Sequence, residues 1–392
     1  MRFNAGRGAR RYRQTGGEAS VGGQLLHFAR YADGCGWTTR FALWPVSALI
    51  PTNLMSTSRN GIIAGGNWIV DAVKMIDVWP QQDTLANIFA TTKGSGGSPF
   101  NILMDLSLLG AKFPLAGSGL VGDDDNGRWI FELCARHRID CARLKKTPAA
   151  PTSFTDVMTV QSSGRRTFFH ARGANALLNA SHFDFSQTDA RIFHLGYLLL
   201  LDGLDAASAT HGTVAAEVLA QAQAAGLKTS IDCVSEDSDR FPQIVMPALK
   251  HVDYCIMNEF EAGRCTGRKV RQGEKLDREE LRAAMQELLD AGVRERVVVH
   301  FPEGGCALGH GGEWAEHPSV KLPDGYVKGA AGAGDAFAAG VLLGWHDGSP
   351  IREQLRSGVC AAAANLSEET CTGGLRSLAE CLAIGERFGF RD

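Results

Sequence analysis

The chain has 392 residues, of which 44% are apolar and 21% are charged, and its formal net charge is −3. This composition predicts a globular protein with one large domain or two unequal ones, and the small net charge excludes a general attraction to nucleic acid or anionic membranes. No apolar run is long enough to cross a bilayer. The ten cysteines have neither C-x-x-C nor zinc-type spacing, so we expect reduced thiols in a cytoplasmic protein.

Residues 1–60 differ from the rest of the chain. They contain eight Arg and no Lys, and their only acidic residues are Glu18 and Asp33. Such a segment resembles a transit peptide, and an over-extended reading frame would look the same. We predict a poorly ordered extension without a catalytic role and place the globular domain at 61–392.

The globular part begins with a predicted buried strand, Ile62–Asp71, which Val73–Val78 continues. Ligands collect at the carboxyl ends of strands in open α/β sheets. Asn67 and Asp71 are therefore candidates to hold polar substrate groups, with a simple turn carboxylate as the alternative for this segment.

A glycine-rich segment, 93–101, reads K-G-S-G-G-S-P-F-N and leads into a predicted helix over Ile102–Gly110. Gly96 and Gly97 allow a ligand to approach the backbone closely. Asn101 adds a side-chain amide at the start of the helix, so this segment is a second candidate for substrate contacts.

A small accessory sheet is predicted around the turn at 162–164. Ser153–Gln161 and Arg166–His170 alternate apolar and polar residues on either side of this turn. The pattern predicts a hairpin that projects from between helical units.

From Ala190 onward, predicted strands and helices alternate regularly. The strands are Arg191–Leu195, Leu227–Asp232, Val252–Met257, Arg296–His300, Cys306–Gly309 and Glu313–His317. The helices are Ala206–Ala225, Phe241–Lys250, Arg278–Ala291 and Ile351–Leu366. This alternation predicts an α/β fold with a doubly wound, mostly parallel sheet flanked by helices.

The most informative stretch, 328–345, reads K-G-A-A-G-A-G-D-A-F-A-A-G-V-L-L-G-W. The small residues Gly332, Ala333 and Gly334 precede a helix that we place from Asp335. A helix start has unpaired N–H groups and the positive end of the dipole, so it suits an anion. A carboxylate beside a bound phosphate is suited to take the proton of an attacking hydroxyl, whereas an N-capping Asp is the structural alternative.

Together these segments resemble the ribokinase-like (PfkB-type) carbohydrate kinases over about 61–383. The strongest match is 332–337, Gly-Ala-Gly-Asp-Ala-Phe, the family's C-terminal signature. The resemblance implies that Gly332, Ala333 and Gly334 form an anion hole and that Asp335 is the general base. It also implies sugar contacts from the residues at the first strand and the N-terminal signature: Asn67, Asp71, Gly96, Gly97 and Asn101.

The resemblance further implies ATP and Mg²⁺ as cofactors. Asn258 and Glu261 fit the family's N-x-x-E element, which positions magnesium and its waters, so Glu261 is the metal candidate. The implied nucleotide-binding residues are Asn258, Gly304, Gly305 and Asn365. A β lid would form from about 71–95 and 150–172, and in this family its apolar face often pairs with a second subunit, which predicts a homodimer.

Two segments depart from the family pattern. Gly329-Ala330-Ala331 stand where the family usually has Asp-Thr-Thr, so dependence on a monovalent cation such as potassium stays open. The family's Thr-x-Gly-x-x-Gly nucleotide strand is replaced by 300–305, His-Phe-Pro-Glu-Gly-Gly, in which Pro302 lacks an N–H donor. The choice of phosphate donor therefore also stays open.

The sequence thus predicts ATP-dependent phosphorylation of a hydroxyl on a small sugar or sugar derivative. One alternative is a nucleoside kinase of the same fold, in which Phe100 and Phe168 would sandwich the base; another is a catalytically weak regulator that binds sugar or nucleotide. We interpret His194 and His300 as strand-end or core residues, and the acidic run 123–125 as a solvated turn.

Overall fold

The computed structural model describes residues 59–392, together with the backbone of four short strands nearer the N-terminus. These strands form two antiparallel hairpins, β1 (Gly16–Val21) with β2 (Gln24–Ala29) and β3 (Tyr31–Asp33) with β4 (Gly36–Thr38). Residues 1–57 and 58–392 form separate compact units. Apart from these strands, the prediction of a poorly ordered extension over 1–60 lies outside the described residues.

The larger unit contains two substantial sheets and helices on both faces of the larger one. In chain order its strands are β5 (Ile62–Gly66), β6 (Ile69–Ile76), β7 (Ile88–Gly96), β8 (Leu115–Gly122), β9 (Ile139–Thr147), β10 (Ser153–Val160), β11 (Arg166–Ala171), β12 (Ile192–Leu198), β13 (Ala207–Ser208), β14 (Gly212–Thr213), β15 (Lys228–Cys233), β16 (Tyr254–Asn258), β17 (Arg271–Gln272), β18 (Lys275–Leu276), β19 (Arg296–Phe301), β20 (Gly304–Gly309) and β21 (Trp314–Pro318). The helices are α1 (Ser98–Leu109), α2 (Asp125–Arg136), α3 (Asp202–Asp205), α4 (Val214–Ala224), α5 (Phe241–Ala248), α6 (Glu259–Thr266), α7 (Arg278–Asp290), α8 (Ala333–His346), α9 (Ile351–Asn365) and α10 (Leu378–Phe388).

The main sheet has nine strands in the order β21-β20-β19-β16-β15-β12-β5-β8-β9. All neighbours from β19 to β9 are parallel, and β20 and β21 extend the edge antiparallel. Successive residues of β5 face opposite sides: Ile62 and Ala64 pack into one hydrophobic core and Ile63 into the other. The predicted doubly wound, mostly parallel α/β sheet is confirmed.

A second, four-stranded sheet, β11-β10-β6-β7, stands apart from the main sheet, and we refer to it as the small sheet. The predicted hairpin around 162–164 forms two of its strands. The single strand predicted over Ile62–Asp71 is wrong, because the chain leaves the main sheet after Gly66. This glycine has φ of 124°, and a Cβ there would lie 2.4 Å from the Gly196 carbonyl oxygen, so the backbone passes too closely to continue straight.

Only Asn67 and Trp68 connect β5 of the main sheet to β6 of the small sheet. Trp68 is completely buried, and its indole N–H donates to the Ser118 carbonyl oxygen at 2.9 Å. The Asn175 side chain accepts from the Trp68 backbone N–H and donates to the Trp68 carbonyl, both at 3.3 Å. This pair of hydrogen bonds fixes the connection.

Other boundaries differ from the predictions for local reasons. The helix predicted over Ala206–Ala225 begins only at Val214, because β13 and β14 pair in front of it and Thr213 caps it. Helix α8 begins at Ala333, two residues before the predicted start, which places Asp335 inside its first turn. Strand β9 and helix α10 were not predicted. In the described part of the chain, no helix combines the length and apolar character needed to cross a bilayer.

Candidate active site

A cavity of about 1170 Å³ opens along the carboxyl ends of the parallel strands. Tyr197, Asp232, Asn258 and His300 come from the ends of β12, β15, β16 and β19 respectively, and all four line it. Ligands bind at this edge of open α/β sheets. The start of α8 and the inner face of the small sheet form further walls.

Most of the predicted site residues line this cavity: Asp71, Gly97, Asn101, Asn258, Glu261, Gly304, Gly332, Ala333, Gly334 and Asp335. The others lie behind the wall: Asn67, Gly96, Gly305 and Asn365. Gly96 leaves room for a lining residue, because a Cβ there would lie 2.3 Å from the Asp71 carboxylate. Asn67 is buried and donates to the Tyr197 carbonyl oxygen at 3.2 Å, so its contact is with the protein backbone.

Asp335 is held in the first turn of α8 with one carboxylate oxygen engaged. Asn101 Nδ2 and the Tyr197 hydroxyl both donate to its Oδ2, at 2.8 and 3.0 Å. Burial raises the pKa of Asp335 to about 7, and the neighbouring Asp232 adds to this effect. The two hydrogen bonds act in the opposite direction. The resulting carboxylate can accept a proton near neutral pH.

The backbone before Asp335 forms a narrow turn that only glycine fits. Gly332 has φ of 75°, and a Cβ there would lie 2.2 Å from the Cys371 carbonyl oxygen. No side chain caps α8. Since Ala333, Gly334 and Asp335 line the cavity, the helix start presents its first-turn N–H groups to an anion bound there.

Asp232 and Tyr197 are site residues that sequence reasoning missed. The Asp232 carboxylate accepts hydrogen bonds from the Ser98 hydroxyl and the Tyr197 backbone N–H. The second bond supports the Tyr197 backbone, whose φ of 56° is uncommon for a residue other than glycine. Asp232 ends a predicted strand, so the rule that identified Asn67 and Asp71 would also have found it.

Asp71 projects from β6 toward the cavity. Burial raises the pKa of its carboxyl to about 6, and hydrogen bonds from Cys371 and Thr155 partly oppose this. The Cys371 thiol lies 3.5 Å from Asp71 Oδ2. Gly97, the residue immediately before α1, has φ of 83°. A Cβ there would lie 2.3 Å from the Asn67 carbonyl oxygen.

Asn258 and Glu261 form a reciprocal cap at the start of α6. Asn258 Oδ1 accepts from the Glu261 N–H at 2.8 Å, and Glu261 Oε2 accepts from the Asn258 N–H at 2.9 Å. Burial raises the pKa of Glu261 to about 8. In residues 59–392 no three His, Cys, Asp or Glu side chains are grouped closely enough to hold a metal. This donor set fits Mg²⁺ bound mainly by phosphates and water with one nearby carboxylate.

Residues 67–377 match the model of the pfkB family carbohydrate kinases. The chain belongs to this family. It is a carbohydrate kinase, a phosphotransferase with an alcohol group as acceptor.

This PfkB-family kinase has low sequence identity to three proteins that are similar to it. It is 24% identical over 306 residues to the 5-dehydro-2-deoxygluconokinase of Shouchella clausii, covering 75% of this chain and 87% of the relative. It is 25% identical over 331 residues to the ATP-dependent ribose-1-phosphate kinase of Halopiger xanaduensis, covering 82% and 96%. The structure of Arabidopsis thaliana ribokinase complexed with ribose and ATP matches with a TM-score of 0.68 and 19% identity, over 85% of this chain and 99% of that one.

The PfkB-family kinase has apolar walls at the end of the cavity beyond β19. Pro302 and Gly304 lie at the β19–β20 turn, and the other lining residues there include Val320, Leu322, Val359, Ala362 and Leu366. Gly305 lies behind, because a Cβ there would lie 2.7 Å from the Phe337 ring. Asn365 Nδ2 donates to the Ala331 carbonyl oxygen at 2.8 Å and so supports the loop before α8 from outside the cavity.

The two histidines have different surroundings. His194 is completely buried and bonded to Ser98 and Ser230, as expected for a core residue. His300 is the penultimate residue of β19 and also lines the cavity, with its ring 3.2 Å from where a Cβ on Gly334 would lie. Burial lowers the pKa of His300 to about 4, so the imidazole is neutral. Reading His300 as only a strand-end residue was therefore incomplete.

Burial tests the proposed base-stacking pair, Phe100 and Phe168, and helix capping accounts for the acidic run 123–125. Phe100 is completely buried, so it is not available to stack on a nucleobase, while Phe168 lines the cavity and is 58% exposed. Asp124 caps α2 by accepting from the Gly127 N–H at 2.8 Å. The acidic run 123–125 therefore belongs to a helix-capping turn.

Proposed function

We propose that this kinase transfers the γ-phosphoryl group of ATP to a hydroxyl of a small sugar or sugar derivative, with Asp335 as the general base. The observation that carries the proposal is the position of Asp335 in the uncapped first turn of α8. There a carboxylate that accepts protons near pH 7 lies beside N–H groups suited to a phosphoryl group.

In this mechanism the acceptor oxygen attacks the γ-phosphorus as the bond from that phosphorus to the β-bridging oxygen breaks. ADP leaves, and the proton of the acceptor hydroxyl passes to Asp335. Asn101 and Tyr197 bond Oδ2, so Oδ1 is the oxygen available for that proton. The N–H groups of Gly334 and Asp335 stabilise charge on the phosphoryl group, at about 3 kcal/mol per donor by comparison with oxyanion holes. The Ala333 N–H, which was also expected to contribute, donates to the Ala330 carbonyl oxygen at 3.4 Å.

The remaining predicted residues divide into those that contact ligands and those that shape the cavity. Asp71, Gly97 and Asn101 would hold the acceptor, while Asn67 and Gly96 support them from behind. Asn258 and Gly304 would contact the nucleotide, with Gly305 and Asn365 as supports. Mg²⁺, oriented by Glu261 through its waters, would neutralise phosphate charge.

The two alternative functions have less support. A nucleoside kinase would need two faces for the base, and burial of Phe100 leaves only Phe168 of the proposed pair. A catalytically weak regulator that binds sugar or nucleotide would not need a carboxylate with a pKa near 7 at an anion site. The sugar-kinase proposal therefore stands first.

The test is ADP formation by the full chain with ATP and Mg²⁺, measured against a panel of sugars, sugar acids, sugar phosphates and nucleosides. Stimulation by a sugar or sugar derivative supports the proposal, and repeating the assay with potassium resolves the cation question. The proposal fails if no panel member stimulates ADP formation. It also fails if a nucleoside is the preferred acceptor.

We also infer that two copies of the chain pair through the outer face of the small sheet. Phe154 and Phe169 are 37% and 50% exposed on this face, and Trp79 stacks on Phe169 with ring centroids 5.9 Å apart. Clustered exposed aromatic residues are typical of protein interfaces. Sedimentation velocity at micromolar concentration should show a dimer that the double substitution Phe154→Ser and Phe169→Ser dissociates; a monomeric unmodified chain would contradict the inference.

A further inference from the structure

Three side chains form one row across the inner face of the small sheet. Asp71 on β6 is paired in register with Thr155 on β10, and Thr155 is paired with His170 on β11. All three line the cavity. On the other side of Asp71 the paired residue is Gly94 on β7, which adds no side chain to the row.

The hydrogen bonds along this row have a defined direction. Hydrogen bonding from the Thr155 hydroxyl acts to lower the pKa of Asp71, and Thr155 Oγ1 lies 3.0 Å from His170 Nδ1. An ionised carboxylate only accepts, so the single hydroxyl proton of Thr155 goes to Asp71. Thr155 Oγ1 must then accept from the Nδ1–H of His170, which leaves Nε2 of the imidazole as a bare acceptor.

Nε2 of His170 has no partner although it is buried. A buried polar atom without a hydrogen bond is costly, and a ligand group that supplies the bond removes that cost. Burial and the nearby Arg172 both lower the pKa of His170, so the imidazole is neutral at pH 7. The partner that fits is a hydroxyl proton.

The charged side chains that line the end of the cavity beside the small sheet are acidic. Asp71, Asp232 and Asp335 all line it. Among the described residues that line the cavity, the single Arg or Lys is Arg391, whose N–H bonds to Ser319 beyond β21, at the opposite edge of the sheet. The two arginines nearest His170 along the chain are already engaged, Arg172 with the Asp202 carboxylate at 3.2 Å and Arg166 with the Glu369 carbonyl oxygen at 3.0 Å. A carboxylate or phosphate on the acceptor would therefore meet acidic groups and would have to compete for these cations.

We propose that the acceptor is an uncharged polyhydroxyl compound, a neutral sugar or polyol, and that His170 Nε2 accepts a hydrogen bond from one of its hydroxyls. This inference rests on the proposed function, since it specifies the acceptor of the same site. His170 is thus a specificity-determining residue of the kinase.

The first experiment compares matched acceptors with the full chain: a neutral sugar, the sugar acid with the same carbon skeleton, and its phosphate ester. Glucose, gluconate and glucose 6-phosphate form one such set, and fructose and fructose 6-phosphate another. We expect kcat/KM to be at least tenfold higher for the neutral member of the accepted set. A sugar acid or sugar phosphate with the higher kcat/KM overturns the inference while leaving the phosphotransferase activity intact; no ADP formation with any acceptor is instead the failure of the proposed function.

The second experiment changes the acceptor atom itself. His170→Phe keeps a ring but removes Nε2, and we expect the acceptor KM to rise at least tenfold while the KM for ATP stays within twofold. His170→Gln restores a carbonyl acceptor and should recover part of the loss. His211→Phe, a histidine outside the cavity, is the matched control. Melting temperature and the KM for ATP show whether each variant is folded; a folded His170→Phe enzyme with unchanged acceptor KM overturns the assignment.

Discussion

The two ends of the cavity are built differently. At the end beside the small sheet, which is the proposed acceptor end, side chains from different strands bond one another, as Thr155 and His170 do. At the opposite end the walls are apolar and a glycine turn brings the backbone close, with Gly304 and Val320 as examples. Under the proposed function, polar side chains would select the acceptor, whereas the shape of the cavity and its backbone would hold the nucleotide. Asp335 lies where the two parts meet.

The largest effect is expected from Asp335→Asn, because this carboxylate lies where the two ends of the cavity meet and is the proposed general base. Removal of the general base should lower kcat by about 10²–10⁴-fold and leave acceptor affinity within a fewfold range. Stopped assays of product formation and calorimetric titration with the acceptor measure the two quantities. Comparable turnover in the variant would eliminate Asp335 as the base.

Gly332→Ala should have the next largest effect. The added Cβ would meet the Cys371 carbonyl oxygen at 2.2 Å in a backbone with φ of 75°, so the turn before α8 must shift and the anion site with it. We expect kcat to fall by about 10²-fold through this misplacement. Gly348→Ala is the matched control, because Gly348 has φ of 72° with open space around it. If Gly348→Ala lowers kcat as much as Gly332→Ala does, the loss does not come specifically from displacement of the turn before α8.

Tyr197→Phe tests the tuning of Asp335 and should have a moderate effect. The Tyr197 hydroxyl lowers the pKa of Asp335 by hydrogen bonding, so its removal raises that pKa. Since the base must be ionised, activity is lost as pH falls through this pKa, and the acidic limb of kcat should move to higher pH. At pH 8 the variant should approach normal turnover. A limb that stays in place or moves to lower pH would contradict the assignment.

Asn365→Ala should give the smallest effect, and that effect should be confined to the KM for ATP. It removes the hydrogen bond to the Ala331 carbonyl, worth about 1 kcal/mol, so the KM for ATP should rise about fivefold. The acceptor KM should remain unchanged, which initial-rate kinetics with each substrate varied in turn will show. An equal rise in both values would mean that the two ends are not independent.

Much of the main sheet could be predicted because the sequence patterns that specify its strands and helices lie within short segments. The strand that ends at Asn258 and the helix that begins at Glu259 follow from a capping pattern within four residues, Asn258 to Glu261. The glycine turn at Gly332 and the position of Asp335, the proposed base, follow from a contiguous motif. Asp232 was within reach of the same reasoning, since it occupies the carboxyl end of a correctly predicted strand.

The acceptor end could not be predicted in the same way. The row from Asp71 to His170 depends on the register of three strands separated by up to a hundred residues, and no local pattern specifies that pairing. The departure of β6 from the main sheet depends on the close approach of Gly66 to Gly196. Tyr197 contacts Asp335 from a backbone conformation that its residue type does not suggest.

The two-residue connection between the sheets has a mechanical consequence. An eight-residue strand such as β6 is about 26 Å long, so it acts as a lever whose pivot is Trp68. A tilt of about 5° at the pivot would move the far end of that strand by about 2 Å. Asp71 lies three residues from the pivot, so the same tilt would move it by about 1 Å. Because the Asn175 amide hydrogen-bonds both sides of the Trp68 backbone, its replacement should weaken acceptor binding from a distance.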